Sequence, residues 1–228
     1  MSCRNYILLK MNTKQNFFDH LDGGWGDIIE DTYIDANTTI IKGEPINNIV
    51  IVPFNAYKDN VMLKLIKFED DITHIFDHAF CNCINLESVT FPEYLKVMRV
   101  GSFQDCTKLS TINFNNLLAS IGEDAFKNTT NLKSIKFPES LTYIGEGAFQ
   151  NSRLEGDLII PDKVKTIEDN AFKDCINLNG VLRIGKNIEY IGNNSFEHCN
   201  FKKIYIPKEL EYYNYKNIYK KNVEIIKY

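Results

Sequence analysis

Two hydrophobic periods run through this chain together, a short one of two residues and a long one of 23. The long period is marked by Tyr57, Phe80, Phe103, Phe126, Phe149, Phe172 and Phe196, which recur every 23 residues except for a last step of 24. A small residue precedes each aromatic: Ala56, Ala79, Ser102, Ala125, Ala148, Ala171 and Ser195. Five positions before each aromatic stands Val52, Ile75, Met98, Ile121, Ile144, Ile167 or Ile191; eight before it stands Ile49, Ile72, Leu95, Leu118, Leu141, Val164 or Ile188. The short period follows each aromatic in an LxxIxF triplet, as in Leu86, Val89 and Phe91 or Leu109, Ile112 and Phe114, whose closing alternation predicts a strand with one buried face. The triplet loosens by a residue at Leu154, Leu158 and Ile160 and again at Leu178, Leu182 and Ile184, which predicts a surface turn there.

A many-column pattern at fixed period is the mark of a repeat architecture. One such unit cannot bury its own apolar side, whereas a stack buries a continuous core between the LxxIxF strand and the opposite LxxI wall. Seven parallel coils at a ladder spacing of about 4.8 Å make a sheet about 30 Å long. The aromatic column is predicted to fill the corner between the walls, with any helix limited to one short turn around GxxAFxx.

The pattern LxxIxFPxxLxxIGxxAFxxCxx resembles the BspA-type (Treponema pallidum-type) leucine-rich repeat over roughly residues 46–210. The resemblance implies a leucine-rich repeat solenoid, a right-handed, β-rich α/β superhelix of parallel ladders and short helical turns, with about seven coils plus caps. It also implies a protein-interaction module using the concave sheet or, alternatively, a cell-surface adhesin or surface antigen. The chain departs from the pattern where Asn115 and Gly185 replace the proline found at Pro92, Pro138, Pro161 and Pro207, and the Ile-Gly glycine survives only as Gly122, Gly145 and Gly192.

Composition changes the picture little. With 228 residues, 44% hydrophobic, 25% charged and a formal charge of −4, the chain is of ordinary globular type, and its charge gives no general argument for nucleic acid or membrane as partner. The first residues lack a signal-peptide core, and nothing approaches the roughly 18 consecutive apolar residues of a membrane span, so the expected setting is cytoplasmic, with the cell surface as alternative. Residues 1–45 are read as an N-terminal cap, with Trp25 as its plug and Thr38 to Glu44 as a strand and turn; residues 211–228 are read as a C-terminal cap whose VEIIKY adds a last strand. Tyr215, Lys216, Tyr219, Lys220 and Lys221 are read as amphipathic closure rather than a nucleic-acid contact.

Candidate chemistry is sparse. Cys83, Cys106, Cys175 and Cys199 share one column with Asn60, Thr129 and Ser152, which suggests a small buried site for a weak hydrogen-bonding group and free thiols rather than disulfides. Cys81, Cys83 and His78 lack the spacing of a structural zinc site, and His20, His74, His78 and His198 have no nucleophile in matching context. No enzyme, metal or cofactor is expected. Asn37, Asn128 and Asn193 begin glycosylation sequons of a kind frequent in an Asn-rich chain. Phase places Lys67, Thr90, Asn113, Lys136, Ile159, Arg183 and Tyr205 in one outward column of the strand face and Leu65, Ser88, Thr111, Ser134, Asp157, Val181 and Lys203 in its neighbour. Lys136, Ile159, Val181, Arg183, Lys203 and Tyr205 form a mixed cationic, apolar and aromatic group suited to a protein partner. A monomer is expected; end-to-end association of poorly capped coils is the competing reading.

Overall fold

The computed structural model describes residues 32–35, 38–46, 49–68, 71–210, 218 and 223–228. Within them the chain winds through two walls. The first wall opens with a sheet of β1 (Thr32–Asp35), β2 (Thr38–Ile41), β5 (Leu65–Phe68), β7 (Ser88–Thr90) and β9 (Thr111–Asn113), in that spatial order. It resumes, after one coil, as β12 (Leu158–Ile159), β14 (Val181–Arg183), β16 (Lys203–Ile206) and β17 (Glu224–Lys227). The opposite wall is one unbroken ladder: β3 (Glu44–Ile46), β4 (Ile49–Val52), β6 (His74–Ile75), β8 (Val97–Met98), β10 (Ser120–Ile121), β11 (Tyr143–Ile144), β13 (Thr166–Ile167) and β15 (Tyr190–Ile191). Pairing is parallel throughout except for β1 with β2 and β3 with β4, so each ladder begins with an antiparallel pair.

Register follows the repeat. Ile66 pairs with Val89 and Val89 with Ile112 on one wall, as Ile75 pairs with Met98 and Met98 with Ile121 on the other. Side chains from both walls meet in a single core that includes Leu95, Leu118, Leu141 and Val164, all fully buried. At its corner the aromatic column is a ring stack: centroids lie 5.1 Å apart from Tyr57 to Phe80, 5.0 Å from Phe80 to Phe103, 5.5 Å from Phe103 to Phe126, then 5.3, 5.3 and 5.4 Å on to Phe196. A second stack, Phe68, Phe91, Phe114 and Phe137, meets the first edge-on, as at Phe91 and Phe103 with planes 81° apart. Offset stacking along each column and edge contacts between them suit the quadrupoles of the rings.

The GxxAFxx segments contain no helix among the described residues, which corrects the expected short helical turns. The physical reason lies in where alternate backbone N–H groups go. Within one such segment Ala79, Cys81 and Cys83 donate to Phe76, His78 and Phe80, three residues back; His78, Phe80 and Asn82 donate across to Val100, Ser102 and Gln104 of the next coil. Alternation of that kind requires left-handed backbone two residues before and two residues after the aromatic. Those positions carry Asn55, His78, Gly101, Asp124, Gly147, Asn170 and Asn194 before it, and Asp59, Asn82, Asp105, Asn128, Asn151, Asp174 and His198 after it, with φ between 52° and 64°. Gly, Asn, Asp and His are the residues that most often adopt this region, and they recur here at fixed phase. The second set also bonds along the stack, with Asn82 Nδ2 donating to Asp59 at 2.8 Å, Asn128 to Asp105 at 2.7 Å and Asn151 to Asn128 at 2.9 Å.

The two departures at the proline position are accommodated separately. Asn115 Nδ2 donates to the carbonyls of Pro92, Glu93 and Leu95, while its Oδ1 accepts from the amides of Leu117 and Leu118. Gly185 has no room for a side chain, since a Cβ there would meet the Pro161 carbonyl and the Asp162 Cα.

The break in the first wall falls on Ser134–Phe137. This segment keeps its place in the core through Phe137, yet Ser134, Ile135 and Lys136 make no backbone hydrogen bond among the described residues. On one side lies the loosened triplet: Leu154 to Leu158 carries an extra residue, the chain bends at Gly156 with φ 75°, and β12 takes up pairing with β14 only.

Candidate functional site

The strand face of the later coils is built by β12, β14, β16 and β17, whose parallel register fixes which side chains are neighbours. Ile159 stands beside Arg183, Arg183 beside Tyr205, and Tyr205 beside Ile226; in the next column Val181 stands beside Lys203 and Lys203 beside Glu224. Leu158, Leu182 and Ile204, between these positions, are buried, so the strand alternation turns the columns outward together. Ile159 is 63% exposed, Arg183 is exposed, and Val181, Lys203 and Tyr205 are half-buried. Five of the six sequence-selected residues therefore share one sheet. Lys136 is exposed on the preceding coil, in the segment that belongs to neither half of the wall.

Electrostatics divides the charged groups of this face into committed and uncommitted ones. Lys203 Nζ lies 3.1 Å from Glu224, and that hydrogen bond raises the lysine's pKa. Asp157 accepts the amide of Val181 at 2.7 Å. Arg183 forms no ion pair among the described residues, although, after the Lys186 amide, its charge helps lower the Asp162 pKa; its Cζ lies 4.4 Å over the ring of Tyr228, a cation–π contact. Tyr228 is fixed in turn, its hydroxyl donating to the Ile184 carbonyl at 2.6 Å and its amide to Ile206 at 3.0 Å. Lys136 likewise has no ion pair among the described residues. Tyr228, Ile226 and Glu224 were not among the sequence-selected positions. The signal for them is the apolar alternation of VEIIKY, which adds the last strand as expected but whose register becomes readable only once β17 is laid beside β16.

The remaining candidates resolve into structural roles. Cys83, Cys106, Cys175 and Cys199 are buried free thiols, each donating to the carbonyl of an aromatic in the preceding coil, Tyr57, Phe80, Phe149 and Phe172, at 3.1 to 3.2 Å. Burial pushes the Cys175 thiol up to about 12 and that of Cys106 well above its ordinary value. His74 Nδ1 is hydrogen-bonded to Thr73 at 2.8 Å and burial lowers its pKa, whereas His78 occupies a left-handed turn position. No group of three His, Cys, Asp or Glu side chains is placed to hold a metal ion among the described residues, nor is any described helix long and apolar enough to cross a membrane. In the sequons, Thr130 is exposed with its hydroxyl donating to the Thr107 carbonyl, and Ser195 is buried and bonded to Gly192. His20, Trp25, Asn37, Tyr215, Lys216, Tyr219, Lys220 and Lys221 lie outside the described residues.

The fold is shared with solved structures. A leucine-rich repeat protein of T. pallidum superposes with a TM-score of 0.62 at 23% identity, over 86% of this chain and 96% of that one. Leucine-rich repeat proteins of Eubacterium ventriosum (TM-score 0.58, 21% identity, 78% of this chain and 54% of that one) and Bacteroides ovatus (0.53, 19%, 81% and 59%) share the fold, and the chain spans just over half of their length. No curated protein matches the chain. The family model described as the BspA type leucine rich repeat region matches in six copies, over residues 50–179 and 156–228. Those residues carry both ladders from β4 onward, the aromatic stack and the exposed face, and the chain accordingly belongs to the BspA-type leucine-rich repeat family.

Proposed function

We propose that this protein is a non-enzymatic interaction module that binds a protein partner through the strand-lined face of its later coils, centred on Ile159, Arg183 and Tyr205 and flanked by Lys136, Val181 and Lys203. The observation that carries this reading is the in-register run of an exposed Ile159, an Arg183 without a carboxylate partner among the described residues and Tyr205 on adjacent strands. Aromatic and arginine side chains on a flat, preorganised surface are the groups that most often dominate a protein interface. Arg183 is preorganised by its seat on Tyr228, which lowers the entropy lost when it is fixed by a partner.

The test is a pull-down from native lysate with the wild type beside an Arg183→Glu, Tyr205→Ala double variant, after circular dichroism has shown both to be folded. A protein held by the wild type and lost by the variant is the expected result. Equal retention by both moves the binding surface off this face. Surface labelling of intact cells, run in parallel, separates an intracellular module from the adhesin reading of the same face.

A further inference from the structure

We propose that Asn179 is a site of covalent modification, a deamidation to aspartate or isoaspartate that the folded chain holds back by binding the reacting amide into the stack. Asn179 is the one asparagine of this chain that is followed by glycine. With no β-carbon on the next residue, its backbone nitrogen reaches the asparagine side chain with the least obstruction. That nitrogen, once deprotonated, bonds to Asn179 Cγ; the Cγ–Nδ2 bond breaks, and the side-chain nitrogen leaves as ammonia from the closed succinimide ring. Water then adds to one of the two ring carbonyls and breaks its bond to the ring nitrogen. The product is aspartate or, where the main chain now runs through Cγ, isoaspartate. Water is the only co-reactant, and Asn179 is exposed to it, lining an open groove with Arg153, Glu155, Gly156 and Asn177.

Packing dictates the glycine. A Cβ at Gly180 would meet Asp157 Oδ1, the Gly156 carbonyl carbon and the Asp157 amide nitrogen. A labile dipeptide therefore stands where the second loosened triplet runs into β14. Three hydrogen bonds tie that point to the coils on either side. The Gly180 amide donates to the Gly156 carbonyl at 2.9 Å, the Gly180 carbonyl accepts from the Lys202 amide at 2.9 Å, and the Val181 amide donates to Asp157 Oδ1 at 2.7 Å. An amide engaged in this way gives up its proton only when the structure opens locally, the condition that also governs hydrogen exchange. Deamidation of the folded chain thus waits on separation of Gly180 from Gly156. Its two products differ in consequence. Isoaspartate inserts a methylene into the main chain just ahead of β14, whose register sets Leu182 beside Leu158 and Arg183 beside Ile159, whereas aspartate adds charge and leaves the main chain unchanged.

The experiment incubates the full chain at mildly alkaline pH, folded or in guanidinium, and follows amide loss at each asparagine by peptide mapping, with isoaspartate counted by isoaspartyl methyltransferase labelling. In guanidinium Asn179 is expected to react fastest of the mapped asparagines, and in the folded chain at least about tenfold more slowly than in guanidinium. Asp157→Ala, shown by circular dichroism to be folded, removes the one of the three bonds that a side chain makes. It is expected to speed the loss several-fold in the folded chain and to leave the rate in guanidinium unchanged. Asn179→Asp is expected to melt with the wild type, and the isoaspartate-bearing chain below both. Equal rates at Asn179 in folded and unfolded chains overturn the guard, as does an Asp157→Ala chain that reacts no faster when folded. Faster loss at another asparagine in guanidinium overturns the site itself.

Discussion

At the scale of single residues the repeat works by giving each column one physical task. The small-residue column shows it most sharply, because Ser102 Oγ is buried with no hydrogen-bond partner while Ala fills the same position in most other coils. An unsatisfied buried hydroxyl costs about 1–3 kcal/mol, so Ser102→Ala is expected to leave stability unchanged or raise it by about 1 kcal/mol in urea unfolding. Ser195→Ala is expected to differ in sign, since that hydroxyl bonds to Glu168 and Gly192. Phe149→Ala, which removes a ring stacked on Phe126 and Phe172, is expected to cost about 3–5 kcal/mol in the same measurement.

The cysteine column makes a pH prediction. Cys175 has its folded pKa raised to about 12 by burial, so the folded state holds its proton where the unfolded chain releases it. Its contribution to stability is complete below the ordinary thiol value and is lost as pH rises towards about 12. Thermal scans across that alkaline window are expected to show a falling Tm, with a shallower fall in Cys175→Ala. An equal slope in both proteins would remove this thiol as a cause.

At the scale of elements the two walls differ in continuity. The wall of β4, β6, β8, β10, β11, β13 and β15 is unbroken, while the strand face is split at Ser134–Phe137. Amides without partners exchange quickly, and local stability follows hydrogen bonding and packing. Hydrogen exchange is therefore expected to be fast at Ser134, Ile135 and Lys136 and slow at Val89 and Ile112, which sit in paired strands. Protection at Ser134 equal to that at Ile112 would mean that the ladder closes in solution. The extra residue between Leu154 and Leu158 was legible in the sequence as slack; its effect on the coil before it was not, because pairing is a property of two coils.

At the scale of the whole molecule, stability is a sum of coils and nearest-neighbour interfaces. Removal of one full period, Pro92 to Phe114, joins Phe91 to Asn115 with every column still in phase. The shortened chain is expected to fold with the same circular-dichroism signature and a lower Tm, whereas a deletion of half that length is expected to abolish the cooperative transition. The outward columns obey the same arithmetic, which is how Ile159, Arg183 and Tyr205 come to be adjacent although they are 24 and 22 residues apart.

The sequence by itself determined the solenoid, the columns of the core and the outward phase of the strand face, because a period of 23 repeated over seven coils leaves few ways to bury the apolar positions. Asn, Asp, Gly and two histidines, His78 and His198, stand at the left-handed turn positions at fixed phase, where the repeat pattern alone suggested a short helical turn. Only the tertiary structure decided that Asn115 rebuilds its turn through its side chain, that the strand face breaks at Ser134, and that Arg183 lies on Tyr228. Each of these depends on which groups of one coil meet those of another. A period fixes the spacing between coils, whereas hydrogen bonds and ring contacts across them depend on backbone paths that a one-residue slack can shift.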